Sequence, residues 1–294
     1  MEGDLPIWKY LLLGAYYHGT RPYRLLRTAE RARSGRAPVM VLFYHRVADD
    51  HPNPWTMPTR VFERQLEWLQ ARFDLVSLAD AQARLRSNTN ARAAVSITFD
   101  DGYADNCRRA LPLLVERQIP CTYFVSTAHI LDGKPFPHDV ARNEPLAPNS
   151  PREIQELAEA GIEIGAHTRT HADLGAIHDP AELHDEIVGA KLELEALVAR
   201  PVRYLAFPYG QHRNLSAQAV RLAKSAGYEG VCSAYGGFNF PGDDSFHLQR
   251  IHADADQVRL KNWLTVDPRK ASGTPRFVYD DLPSTPASEL IAPA

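Results

Sequence analysis

Cysteine is scarce. The 294-residue chain holds three, Cys107, Cys121 and Cys232. An odd number without paired spacing excludes a fully bridged disulfide framework and suits inert buried thiols in a reducing compartment. A surplus of charge is also missing: 33 basic residues face 36 acidic ones, for a net charge of −3. That balance attracts no polyanion, so nucleic acid is not expected as a partner. No run reaches the roughly 18 apolar residues needed to cross a bilayer. The beginning of the chain also lacks the pattern of a secretory signal peptide. Glu2 and Asp4 stand where a basic region belongs, the apolar stretch 7–17 is interrupted by Lys9, and no small-residue cleavage site follows. The expectation is a cytoplasmic protein.

What is present suits an ordinary globular chain, 44% hydrophobic and 23% charged, with room for one large α/β domain or two small ones. Residues 1–36 read as a basic, amphipathic leader, with Trp8, Tyr10 and Leu11 followed by Arg21, Arg24, Arg27, Arg31, Arg33 and Arg36. Two readings stay open for it. One is a helix lying in a membrane interface, giving peripheral contact at the inner face through residues 7–36. The other is a surface helix packed on its own domain. Residues 37–268 form the main domain, and residues 269–294, rich in Pro, Ser, Thr and Ala, read as a flexible tail.

Within the domain, apolar strand patterns at 38–45, 75–78, 94–99, 121–126, 162–166, 204–207, 230–233 and 248–252 alternate with helical patterns. Among the helices are 59–69, with Thr59 as N-cap, 106–118, 151–160, with Ser150 as N-cap, and 180–197. The Pro- and Asn-rich stretch 129–150 shows no period and reads as a long loop, a candidate substrate lid. Such alternation implies an α/β fold with a parallel sheet, closed as a deformed (β/α) barrel of about seven strands. Polar residues recur where strands end, at His45, Asp100 and Asp101, His167, Tyr209 and His252. In barrels of this kind that rim carries the active site.

The run Ser96-Ile97-Thr98-Phe99 stops on Asp100-Asp101-Gly102, and a second run ends at His167-Thr168-Arg169-Thr170-His171. One carboxylate and two imidazoles are a common ligand set for a catalytic divalent metal with an open position. The remaining carboxylate is a ready general base. The arrangement suggests metal-assisted hydrolysis.

Thr98-Phe99-Asp100-Asp101-Gly102, His167 to His171 and Phe207-Pro208-Tyr209-Gly210 resemble, in order, three motifs of the polysaccharide deacetylases, the NodB-homology or carbohydrate esterase family 4 domains. The resemblance implies a NodB-like barrel and removal of N-acetyl groups from N-acetylhexosamine residues of a polysaccharide or lipid-linked glycan. By it, Asp101, His167 and His171 hold the metal, commonly Zn2+ with Co2+ or Ni2+ as alternatives. Asp100 is the base, and Pro208, Tyr209 and Gly210 line the substrate pocket. Tyr44-His45 at the end of a first strand resembles the circularly permuted deacetylases of poly-β-1,6-N-acetylglucosamine, making His45 the leaving-group acid and His252 the alternative. One departure stands out: Ala206 and Phe207 occupy the place of the family's base-holding arginine, with Arg250 or Arg46 as substitutes. Asp254 and Asp256 are the candidates for an acid that orients the acid histidine. Other histidines, including His138 and His247, are assigned to the surface, and Trp55 is a candidate sugar-stacking residue. Rival readings are a deformylase, an O-acetyl esterase or a non-sugar amidase, and a decayed glycan-binding module.

Overall fold

The computed structural model describes residues 6–273 and 275–279. Its strands are β1 (Val39–Tyr44), β2 (Arg46–Val47), β3 (Thr56–Met57), β4 (Asp74–Leu75), β5 (Ala94–Phe99), β6 (Cys121–Val125), β7 (Glu163–Ala166), β8 (Tyr204–Ala206), β9 (Gly230–Cys232), β10 (His247–Leu248) and β11 (Arg250–His252). All except β2 and β3 form one sheet in the order β10-β9-β8-β7-β6-β5-β1-β11, with β4 beside β5. Every pairing in it is parallel. The sheet nearly closes into a barrel, because its end strands β10 and β11 are parted only by Gln249. The late strand expected at 248–252 is therefore two. Asn239 explains the break: its side chain accepts from the Gln249 N–H and donates to the Gln249 carbonyl, both at 2.9 Å. Gln249 thus leaves the ladder without orphaning its backbone. Asn239 also exchanges two backbone bonds with Val39 of β1, at 2.8 and 3.1 Å, tying the seam.

Alternate strand residues point into the barrel. Val39, Val41, Phe124, Tyr204, Ala206, Cys232 and Leu248 form one buried cluster with Leu78, Ala81 and Leu85 of the helix Leu78–Arg86. That helix closes the amino-terminal end of the barrel. Its Gln82 accepts from the Tyr204 hydroxyl at 3.0 Å and donates to the Glu229 carbonyl at 2.8 Å. The opposite face of β1, with Met40, Leu42 and Tyr44, packs under Phe62, Leu66 and Leu69 of the helix Thr59–Gln70. Such buried leucines cost about 2–5 kcal/mol when cut to alanine. At Gly165 of β7 the barrel admits no side chain, since a Cβ there would meet the Phe124 ring at 2.5 Å.

Several local expectations are corrected. The helix expected at 106–118 is a 3-10 turn, Ala104–Cys107, followed by Ala110–Glu116. Pro58, not Thr59, precedes its helix as N-cap, whereas Ser150 caps Pro151–Glu159 through a reciprocal bond with Glu153. The stretch 129–150 is not one loop: it overlaps two short helices, Thr127–Asp132, stopped by left-handed Gly133, and Pro137–Ala141. The tail expected from residue 269 begins as the helix Pro268–Gly273. Beyond it Tyr279 is buried, its hydroxyl donating to Asp244 at 2.7 Å, because two aromatics, Phe277 and Tyr279, anchor the segment. Residues 280–294 lie outside the described residues. The leader is a helix, Ile7–Arg33, docked beside the helix Gln257–Leu264. No helix among the described residues is long and apolar enough to cross a membrane.

Candidate active site

The strands β1, β5 and β7 each deliver their next residues to the same rim. His45, Asp100, Asp101, His167 and His171 line one cleft of about 200 Å³, with Phe43, Trp55, His138, Arg142, Phe207, Tyr209 and Gln211. The ligand atoms of Asp101, His167 and His171 all lie within 4.8 Å of one another. Their convergence needs unusual backbone. Asp101, Thr168, His171 and Tyr209 all have left-handed φ, of 76°, 60°, 63° and 61°. Such strain persists where surrounding structure holds it, commonly at functional sites. The i, i+4 histidines are thus on a loop, not on a helix face.

A buried carboxylate holds that loop. Glu186 accepts from the backbone N–H groups of Arg169 and Thr170, both at 2.9 Å, and from the Thr170 hydroxyl at 2.6 Å. Glu186 sits in a π turn, Asp185–Gly189, that joins Pro180–His184 to Ala190–Val198. The extra residue in such a turn re-aims a side chain, here Glu186 toward the loop. The sequence shows only a long acidic helix at this place.

The cluster fits a divalent cation. The Asp101 Oδ1 atom is buried and finds no hydrogen-bond donor, while the Nε2 atoms of His167 and His171 stand 3.4 and 3.3 Å from it. The His167 Nδ1 lies 2.8 Å from the Ala206 carbonyl, which fixes Nδ1 as the donor and leaves Nε2 as the ligand. Three bare donor atoms facing one point suit a cation better than they suit one another. Burial opposes ionisation of Asp101, but the neighbouring imidazoles outweigh it and hold this carboxyl well below its usual value.

Asp100 has a different partner. The Arg250 guanidinium meets it as a fork, at 2.6 and 2.8 Å, and also donates to the Ser233 carbonyl at 2.9 Å and Thr98 Oγ1 at 3.2 Å. The guanidinium lies between the rings of Phe43 and Phe124, its carbon 4.9 and 5.3 Å from their centroids. Burial pushes the Asp100 carboxyl up, but Arg250 and His167 outweigh this and hold it below the ordinary carboxylate range. Arg46, the other arginine weighed for this place, pairs with Asp105 and Asp50 instead.

His45 stands over the carboxylates with its ring 4.5 Å from that of Trp55, and its buried Nδ1 has no hydrogen-bond partner. Burial lowers its pKa to about 4, against the pull of Asp101 and Asp100. His252 is level with Phe43 in the sheet and packs on Phe43 and Trp55, 6.5 Å from His45 between ring centroids, outside the cleft lining. Tyr209 is exposed and reaches the cleft. Pro208 and Gly210 shape its turn, in which a Cβ on Gly210 would strike Ala234 at 2.7 Å. Asp254 pairs with Arg259 and Asp256 caps the helix Gln257–Leu264.

Two histidines depart from their expected surface positions. His138 lines the cleft, and its Nε2 is 3.1 Å from the oxygen of the Tyr103 hydroxyl, whose one proton goes to Asp139 at 2.9 Å. Its only sequence signal is its place in the candidate lid. His247 is buried in β10, its Nε2 2.9 Å from Ser233 Oγ.

Comparison with known proteins bears on the family and the fold. Residues 87–231 match the family model described as polysaccharide deacetylase. The putative polysaccharide deacetylase YxkH of Bacillus subtilis is 25% identical over 195 residues, 66% of this chain and 63% of that protein. The chain thus matches a little under two thirds of the length of that curated relative. Among solved structures, IcaB from Ammonifex degensii aligns with a TM-score of 0.63 at 23% identity, over 78% of this chain and 98% of that one. The Streptococcus pyogenes deacetylase PplD aligns with a TM-score of 0.64 at 18% identity, over 76% of this chain and 96% of that one. Their shared fold is the NodB-like (β/α) barrel expected from the motifs. Residues 87–231, a little under half of the chain, are thus the region that matches the polysaccharide deacetylase family.

Proposed function

We propose that this protein is a metal-dependent hydrolase that removes N-acetyl groups from N-acetylhexosamine residues of a polysaccharide or lipid-linked glycan. The observation that carries the proposal is the Asp101–His167–His171 cluster beside an arginine-held Asp100 in a single cleft. Asp101, His167 and His171 would hold the metal, which polarises the amide carbonyl and acidifies water when bound. Asp100 takes the water proton at a carboxylate kept ionised and oriented by Arg250. The backbone N–H of Tyr209 supports the developing oxyanion. The amine must leave protonated, and His45 is the acid in place. It is neutral in the resting site; negative charge developing beside it lets it take one proton from solvent, which it passes to the nitrogen as the C–N bond breaks. Trp55 and Tyr209 offer exposed rings against which a sugar face can lie. The family match begins at residue 87, after the strand that carries His45, which supports the permuted reading.

The test is acetate release from N-acetylglucosamine oligomers by chelator-stripped protein with and without added Zn2+. Release that depends on the metal is expected. Asp100→Asn is expected to keep the metal and lose about 10²–10⁴-fold in rate, the usual loss with a general base. Full activity in that variant removes Asp100 from the mechanism.

A further inference from the structure

The leader helix, Ile7–Arg33, uses only one side to hold the domain. The Tyr16 hydroxyl donates to Asp267 at 2.8 Å, Tyr17 is buried, and Arg24, 1% exposed, bonds the Asn262 carbonyl and pairs with Asp267. At about 100° per residue, the opposite side carries Ile7, Trp8, Leu11, Leu12, Leu25 and Leu26. All six are exposed, Ile7 by 79% and Leu26 by 71%. They form two apolar clusters, at 7–12 and 25–26, about 20 Å apart along one side of the helix, that no other described residue covers.

The charge beside these clusters has one sign. Between residues 7 and 36 the only acid is Glu30, against Lys9, Arg21, Arg24, Arg27, Arg31, Arg33 and Arg36. Arg24 turns inward, Arg31 lies over the Phe240 ring, 5.5 Å from its centroid, and Arg27 pairs with Glu30, which leaves Arg21 and Arg33 exposed along the outward side. An anionic lipid surface meets both features, taking the leucines and Trp8 among its acyl chains and the arginines at its phosphates.

We infer that the outward face of this helix docks the protein in the interface of an anionic bilayer. The docking has a direction. Lys9 and Leu13 line one depression with Asp254, which follows β11 by two residues. The helix therefore starts at the barrel end on which the strands deliver the cleft residues and ends near the start of β1, so the bound protein holds the cleft end of the barrel beside the lipid surface.

The experiment is vesicle flotation of the full chain, with phosphatidylcholine alone and with phosphatidylglycerol added. Binding to the phosphatidylglycerol vesicles, weakened by salt, is expected. Leu11→Glu and Leu25→Glu each weaken it by about tenfold or more, and Arg21→Gln and Arg33→Gln by roughly fivefold each. Thermal melts equal to that of the unaltered chain show that the exposed substitutions leave the fold intact. Absence of binding overturns the inference, as does equal binding to both vesicle types. So does a concentration-dependent dimer in sedimentation that Leu25→Glu abolishes, which assigns the face to a second copy.

Discussion

Replacing Arg250 with methionine isolates the contribution of the buried ion pair. The side chain is fully buried, and its fork fills both carboxylate oxygens of Asp100, itself 2% exposed. Methionine keeps much of the volume and none of the charge. Asp100 is then an uncompensated buried anion, a situation that costs about 3–5 kcal/mol. Urea unfolding of metal-free protein at neutral pH reads that loss as a lower midpoint. The double variant Asp100→Leu/Arg250→Met removes both charges and is expected to recover most of the stability, giving a coupling of about 2 kcal/mol or more. Acidification adds a second readout. In the unaltered chain the Asp100 pKa lies below its unfolded value of roughly 3.9, so the pair's contribution is present above that pH and fades as pH falls through the folded pKa. In Arg250→Met, burial is opposed only by the His167 and His45 imidazoles, so the folded pKa rises and that variant gains stability as the carboxyl takes up its proton. The two stability curves therefore converge in acid. An Arg250→Met protein within about 1 kcal/mol of the original, with additive single and double variants, refutes the reasoning.

Metal stoichiometry by mass spectrometry is expected to be near one ion per chain and to fall sharply in His171→Ala; equal metal content in both removes His171 from the ligand set. His45→Ala is expected to lower acetate release far more than His252→Ala, since only His45 lines the cleft with the carboxylates; the reverse ranking in initial rates assigns the acid to β11. His247 is held neutral by burial, with its pKa lowered to about 4. The unfolded chain, with a pKa of roughly 6.5 there, binds the proton first, so stability falls by up to about 3 kcal/mol between those two pH values. Urea titrations across that window check it, and His247→Gln flattens the slope.

The rim was legible because each of its strands is an apolar run that stops abruptly on a polar residue, as Phe99 stops on Asp100 and Ala166 on His167. Alternation of such runs with helices implied the parallel barrel, and the order of the three motifs implied its type. The supports of the site were less legible because they come from distant segments. Glu186 reaches the histidine loop only because a π turn redirects it, and a helical period carries no mark of that turn. His138 reaches the cleft from a helix, Pro137–Ala141, too short to show a period. The break at Gln249 depends on Asn239, ten residues earlier, which replaces its ladder bonds. The basic, aromatic composition of the leader was visible, but which of its arginines turns inward was set by Asp267 and Asn262 at the far end of the domain.

The arrangement of Arg250 follows from the closure of the barrel. β1 lies between β5 and β11, with Val41 level with both Ser96 and Arg250, and Phe43 level with both Thr98 and His252. A side chain on β11 that points inward therefore has only β1 between itself and the strand that ends on Asp100. Arg250 starts one inward row below His252 and extends past Thr98, where its fork meets the carboxylate. An open sheet would leave β11 at a free edge, with no fixed relation to β9 beyond it. In the nearly closed ring the same guanidinium also bonds the carbonyl of Ser233, just after β9, and is held from both sides of the seam. A carboxylate can thus keep an arginine partner although Ala206 stands at the end of β8. A lysine at 250 would supply the charge without the two parallel bonds that orient both oxygens. Arg250→Lys is accordingly expected to recover more of the stability than of the acetate release, and equal recovery of both would mean that charge alone sets the carboxylate.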